Sequence, residues 1–308
     1  MRGGGSNSLK NLPICFHILC DTLTQDTKTK LKTLERHLNA RYPCTIALHY
    51  VSQEDFRDLQ PWGADGTNWC AYFRLKIGDV LSLDITRCMY LDVDILVLDD
   101  IRELCAYELG GKAVGMVRHI DSGSGPQAPQ RMFEASIEHR DYCNSGVLVM
   151  DLAKWRSYDM TRIRDFPYMR FPDQDFINYT FRDCVCFVPL RWNLQWNPTA
   201  MRNLAHKHWD DGSSYTYAQC QEALKSPAIV HFIGMGLEPW KTLGRKLPDQ
   251  EDFVHNPFRT LWWEVARRTP FYGRIRWGFA RRAFVKIVGS YMRVYAKPLY
   301  HALKKIMT

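Results

Sequence analysis

Short apolar runs alternate with helix-forming segments through most of the chain, and that alternation restricts the fold to a sheet covered by helices. Ile14–Cys20 is a compact apolar run followed by a turn, as expected of a buried strand. Thr24 is placed to cap a helix whose Leu31, Leu34 and Leu38 recur at spacings of three and four, giving one apolar face. Pro43 then opens a second apolar run, Cys44–Val51. Strand, helix, strand is the signature of an α/β sheet. The pattern continues with a helix over Trp69–Leu83, a strand over Arg87–Leu91, a helix near 100–107 and a strand over Ala113–Val117. After a Gly, Ser and Pro-rich loop near 119–131 come a strand over Asn144–Met150, helices over Leu152–Tyr158 and Asp173–Phe181, and a late strand over Ala228–Phe232.

The composition is that of a folded protein: of 308 residues, 46% are hydrophobic and 24% charged, and 19 Gly with 15 Pro exclude collagen-like or disordered classes. No run reaches the roughly 18 apolar residues of a membrane-spanning helix. The net charge of +8 is unevenly placed. Residues 259–308 hold twelve Lys and Arg against one acid, Glu264, whereas 1–258 hold 29 basic and 32 acidic residues. A mildly acidic body with a strongly basic tail calls for an anionic partner surface. The ten cysteines are scattered, with no CxxC pair or zinc spacing, and the polar opening MRGGGSNSLKN carries no secretory signal. Reduced thiols and a cytoplasmic setting are the expectation.

Four constellations can carry chemistry. In Tyr90-Leu-Asp-Val-Asp94 the carboxylates of Asp92 and Asp94 are two residues apart at the end of an apolar strand, so they face one way and can hold a hard cation. The same spacing also occurs without a metal. His231 stands in the late apolar run before Gly234; it is either a satisfied core histidine or a third ligand, in which case the oxygen and imidazole set favours manganese over calcium. Asp173 opens a helix and serves as a cap there, while the amide of Gln174 is suited to holding a sugar hydroxyl or steadying an anomeric centre. Asn144-Ser-Gly146 reads as a small polar turn.

Taken in order, AYFRLKIGDVL at 71–81, MYLDVDILV at 89–97, NSGVLVMDLAKW at 144–155, DQDFIN at 173–178 and HFIG with a following PW at 231–240 resemble retaining glycosyltransferase family 8, above all its bacterial lipopolysaccharide galactosyl- and glucosyltransferases. The resemblance implies a GT-A fold with a mixed, mostly parallel sheet over 14–257; the residues themselves read as a disordered 1–13 and a basic helical tail over 258–308. It implies a UDP-sugar donor and a divalent cation, Mn2+ or Mg2+, held by Asp92, Asp94 and His231. Arg74, Asn144, Asp173 and Gln174 match positions at the donor, Gln174 nearest the reacting carbon, and Gly234 belongs to the same set. Retention of configuration is implied, and with no glutamate nucleophile at the Gln174 position, front-side attack is the expected mechanism.

Two departures from the family stand out. The chain opens at what corresponds to the family's second strand, Ile14–Cys20, so the resemblance implies that the first strand and its base-binding edge are missing and that neighbouring apolar surface is exposed. Before the Pro-Trp pair, Glu238 replaces a family lysine that meets the diphosphate; Lys241 is then the candidate to reach the same oxygens. These departures keep a second reading open, a catalytically silent family member that binds membrane or glycan. In the tail, arginines and lysines interleave with Trp262, Trp263, Phe271, Tyr272, Trp277, Phe279 and Phe284, a mixture suited to an anionic membrane interface. The same mixture also suits RNA, but no nucleic-acid fold or zinc motif accompanies it. The expected partners are therefore a UDP-hexose, a lipopolysaccharide or lipid-linked saccharide acceptor, and the inner face of the cytoplasmic membrane.

Overall fold

The computed structural model describes residues 12–61, 68–120, 139–166, 171–197, 214–233, 237–242, 244–246 and 253–295. Most of the opening segment, most of the 119–131 loop and Gly234 lie outside them. The chain divides into two compact units, 1–233 and 234–308, so the expected boundary at 257/258 falls within the second.

The first unit begins with β1 (Ile14–Cys20), α1 (Gln25–Asn39) and β2 (Cys44–Tyr50), β1 and β2 pairing in parallel from Ile14 opposite Cys44 to Cys20 opposite Tyr50. Thr24 caps α1 as expected, its hydroxyl accepting from the Thr27 amide at 3.2 Å. β1 departs from the expectation of a buried strand: among the described residues it pairs with β2 alone, only Cys20 is buried, and Phe16 is 37% exposed. The segment expected to be one helix over 69–83 winds as a 3-10 turn, Cys70–Lys76, followed by the short α2 (Ile77–Val80). Tyr72, Phe73, Arg74 and Leu75 are consecutive and all buried, so the segment is enclosed on every side and packing rather than helical periodicity sets its winding.

Next come β3 (Arg87–Leu91), β4 (Ile95–Val97), α3 (Ile101–Cys105), β5 (Val114–Arg118), β6 (Cys143–Asp151), α4 (Leu152–Arg156), α5 (Pro172–Phe181), β7 (Val185–Phe187), β8 (Leu194–Gln195), α6 (Tyr217–Lys225) and β9 (Ile229–His231). Two sheets result, in the orders β3-β6-β5-β7 and β4-β9-β8. The sheets are mixed but not mostly parallel: β3/β6, β5/β6 and β4/β9 are antiparallel, β5/β7 and β8/β9 parallel. β6 is the keystone of the first sheet, buried from Cys143 to Met150 and flanked on both sides. Leu148 and Met150 enter a core shared with Leu152, Trp155, Ile177 and Phe181, where the rings of Trp155 and Phe181 stack at 4.7 Å. That core holds α4 and α5 against β6 and so fixes the polar start of α5 beside the polar start of β6.

The second unit contains β10 (Arg245–Lys246) and β11 (Phe253–Val254), an antiparallel pair, and two helices, α7 (Arg259–Arg267) and α8 (Tyr272–Tyr295). Arg259 donates to the carbonyls of Pro239 and Thr242, and Trp263 to Pro239, which ties α7 to the loop carrying Glu238 and Trp240. Among the described residues no helix is long and apolar enough to cross a membrane.

Candidate active site

The Asp-Val-Asp turn stands where the chain leaves one sheet and enters the other, and a backbone bond pins each end of it. The Asp92 amide donates to Gly146 of β6 at 2.8 Å, and the Asp94 carbonyl accepts from Phe232, just past β9, at 2.9 Å. Asp92 and Asp94 therefore converge while Val93 between them is fully exposed. His231 occupies the middle strand of the second sheet, opposite Ile95 and Gln195. Its Nε2 lies 3.1 Å from Asp94 Oδ1 and 3.7 Å from Asp92 Oδ2. One ligand atom from each of the three residues fits within 4.8 Å of the others. Two carboxylate oxygens and an imidazole nitrogen form a donor set that suits a divalent cation.

Gly146 makes this approach possible. A Cβ at that position would collide with Cε1 of His231 and stand 2.7 Å from its Nδ1 and 2.8 Å from Asp92 Oδ2. Asn144-Ser-Gly146 lies in β6, within the strand expected over Asn144–Met150, and its glycine clears the space that His231 and Asp92 occupy.

Arg74 links the carboxylates to the start of α5. Nη2 donates to Asp92 at 2.8 Å, Nη1 to the carbonyl and hydroxyl of Ser145 at 2.8 and 2.7 Å, and Nε faces Asp173 Oδ2 at 3.2 Å. Tyr90 stacks its ring under the guanidinium and donates its hydroxyl to Asp92 at 2.6 Å. Burial by itself would weaken the protonation of Arg74, but Tyr90, Asp92 and Asp173 hold the guanidinium charged, above its ordinary value. Burial pushes Asp173 up, with Asp92 adding to the rise and Arg74 opposing it. For Asp94, burial is outweighed by the hydrogen bond and charge of His231 and by Arg74, and its carboxyl sits below the ordinary carboxylate value.

Asp173 is not the helix cap that its sequence position suggests. Phe171 is the N-cap residue and Pro172 the first helical one, which places Asp173 in the first turn, buried. Gln174 is fixed by Asn144 Nδ2 and the Ser145 amide, which donate to its Oε1 at 3.1 and 3.0 Å, while its Nε2 donates to the Tyr142 hydroxyl at 2.8 Å. Tyr142 in turn donates to Asp175. The structure therefore brings together Arg74, Asp92, Asp94, Asn144, Asp173, Gln174 and His231. Lys241 belongs to the second unit, where its ammonium pairs with Glu238 Oε1 at 2.6 Å; the other oxygen, Glu238 Oε2, is buried and has no hydrogen-bond partner among the described residues. Sequence reasoning passed over Tyr142, Asp175 and Asn193. A signal was present for Asn193, an amide between the apolar Trp192 and Leu194, where a buried polar group needs a partner.

Comparison with known proteins gives three findings. The model of the family described as "Glycosyl transferase family 8" matches residues 6–244. General stress protein A of Bacillus subtilis (strain 168) is 29% identical over 202 residues, 62% of this chain and 66% of that protein, and the lipopolysaccharide 1,2-glucosyltransferase of Escherichia coli (strain K12) is 23% identical over 242 residues, 75% and 65%. The chain thus spans just under two thirds of the length of either relative. Among solved structures, the galactosyltransferase LgtC in complex with donor and acceptor sugar analogs superposes with a TM-score of 0.58 at 20% identity, covering 84% of this chain and 96% of that one.

Proposed function

The chain belongs to glycosyl transferase family 8, and from that premise we propose that it is a hexosyltransferase that moves galactose or glucose from a UDP-sugar to a membrane-held saccharide, a lipopolysaccharide core or another lipid-linked glycan. One observation carries the reading: the Asp92, Asp94 and His231 ligand atoms converge beside a buried set of polar groups, Arg74, Asn144, Asp173 and Gln174. A bound Mn2+ or Mg2+ there supplies a Lewis acid for the negative charge that grows on the leaving diphosphate. Arg74 keeps Asp92 oriented and opposes the protonation of Asp173 that burial favours. Asp173, a carboxylate in low dielectric, offsets positive charge at the anomeric carbon. Gln174 meets the sugar from its N–H side, because its oxygen is engaged by Asn144 and Ser145. With an amide rather than a carboxylate in that position, attack from the front face with retention of configuration is the step the site supports.

The acceptor is held at the inner face of the cytoplasmic membrane, where the basic segment 258–308 places the enzyme. On α8, Trp277, Phe284 and Ile287 are 66%, 67% and 69% exposed. At 100° per residue they share one stripe, flanked by Arg276 on one side and Arg274 and Arg281 on the other. Incubation of the protein with radiolabelled UDP-galactose or UDP-glucose, Mn2+ and lipopolysaccharide core acceptors is expected to transfer label to the lipid fraction. A folded sample that neither transfers nor hydrolyses any UDP-hexose would contradict the proposal.

A further inference from the structure

Five polar side chains, Asp175, Tyr142, Gln174, Asn144 and Asn193, run in a hydrogen-bonded file from α5 to the imidazole of His231, and all are buried. Two backbone amides fix the direction of the bonds, because a main-chain N–H can only donate. The Ser145 amide donates to Gln174 Oε1 at 3.0 Å, so Gln174 must turn its Nε2 to Tyr142, at 2.8 Å, and the Tyr142 hydroxyl must give its hydrogen to Asp175. The Gly146 amide donates to Asn144 Oδ1 at 2.9 Å, so Asn144 presents Nδ2 to Gln174 Oε1, at 3.1 Å. Asn193 is 2.8 Å from the same Asn144 Oδ1 and must meet it with Nδ2. Asn193 Oδ1 is then left facing His231 Nδ1 at 3.0 Å, and the imidazole hydrogen belongs on that nitrogen.

We infer that this file, with Asn193 as its last member, is a positioning device that keeps His231 protonated on Nδ1 and turns the bare lone pair of Nε2 toward Asp92 and Asp94. The inference rests on the triad being a cation site. Left to local electrostatics, a neutral imidazole beside two carboxylates would place its single hydrogen on Nε2, 3.1 Å from Asp94. For that, Asn193 would have to reverse its amide and set Oδ1 against Asn144 Oδ1. Asn144 cannot follow without losing both the Gly146 amide and Gln174, leaving buried polar groups unpaired. In the neutral ring the file thus sets a bare nitrogen against the carboxylates, an arrangement completed by a cation. A partner that fixes the distal nitrogen in this way typically changes metal affinity 10- to 100-fold.

The test uses the metal-free protein labelled with 15N-histidine, the His231 signals being assigned by their loss in His231→Gln. Above the pH at which the ring becomes neutral, two-bond 1H–15N spectra of the wild type are expected to show Nδ1 protonated and Nε2 bare. Asn193→Leu removes the acceptor and is expected to move the hydrogen to Nε2 and to weaken Mn2+ binding, measured calorimetrically with UDP present, about tenfold or more. Asn193→Asp keeps an acceptor on Nδ1, though it loses the donor to Asn144, and is expected to restore the Nδ1–H tautomer. A neutral wild-type ring with its hydrogen on Nε2 would overturn the inference, as would Mn2+ affinity in a folded Asn193→Leu within twofold of wild type. If Asn193→Leu does not fold, the wild-type tautomer and Asn193→Asp still decide. A wild type that takes no Mn2+ would overturn the cation-site reading itself, a result separate from the tautomer.

Discussion

Gly146 is the residue on which the ligand geometry turns. Alanine there forces either His231 or Asp92 out of place, because the new methyl would meet both. Gly146→Ala is expected to lower Mn2+-dependent UDP affinity at least tenfold, about 1.4 kcal/mol, while thermal melts still show a cooperative fold; unchanged affinity by calorimetry would contradict this. Asp94 offers a second measurement at the same scale. Its carboxyl is depressed in the fold, so it adds stability above the unfolded value and loses it as pH falls through the folded one. In the metal-free protein the Tm gap between wild type and Asp94→Asn is expected to close as pH drops below about 4. A gap that widens on acidification would show that His231 and Arg74 do not hold the charge.

The elements that local pattern dictates are those with a cap, a period or a bounded apolar run. α1 starts at its Thr24 cap, β1 and β3 match their apolar runs residue for residue, and α5 ends at Phe181 as expected. Thr24→Ala removes the acceptor for the Thr27 amide and is expected to cost about 1 kcal/mol in urea unfolding; no measurable change would mean that packing alone holds the first turn. Elements set by tertiary enclosure were not legible in this way. The 70–80 segment has a helical composition, yet burial of four consecutive side chains winds it as a 3-10 turn, and no single-sequence period reports that. The strand directions were likewise hidden, since β3/β6 and β5/β6 pair antiparallel across long connections. For the site, the Asp-x-Asp spacing and the strand histidine were visible as types at positions, whereas the file through Tyr142, Asn144 and Asn193 depends on contacts between residues up to 49 apart in sequence.

Charge is the property of the whole chain that matters most for its partners. The basic excess is concentrated beyond residue 258, and exposed Trp277, Phe284 and Ile287 lie among those arginines on α8. Co-sedimentation with anionic vesicles is expected at low salt, to weaken sharply at 0.5 M salt, and to fall at least tenfold in a Trp277→Ser/Phe284→Ser variant; equal binding to neutral vesicles, or preference for RNA over anionic lipid, would contradict a membrane role for this segment. The central claim, however, concerns the first unit, and calorimetric titration of UDP into the protein tests it most directly, with and without Mn2+ and with the Asp92→Ala/Asp94→Ala double variant as control. Binding that requires Mn2+ and disappears in the folded double variant is the expected result. UDP binding that is indifferent to Mn2+, or that survives loss of both carboxylates, would contradict the assignment of Asp92, Asp94 and His231 as the cation site of a UDP-sugar transferase.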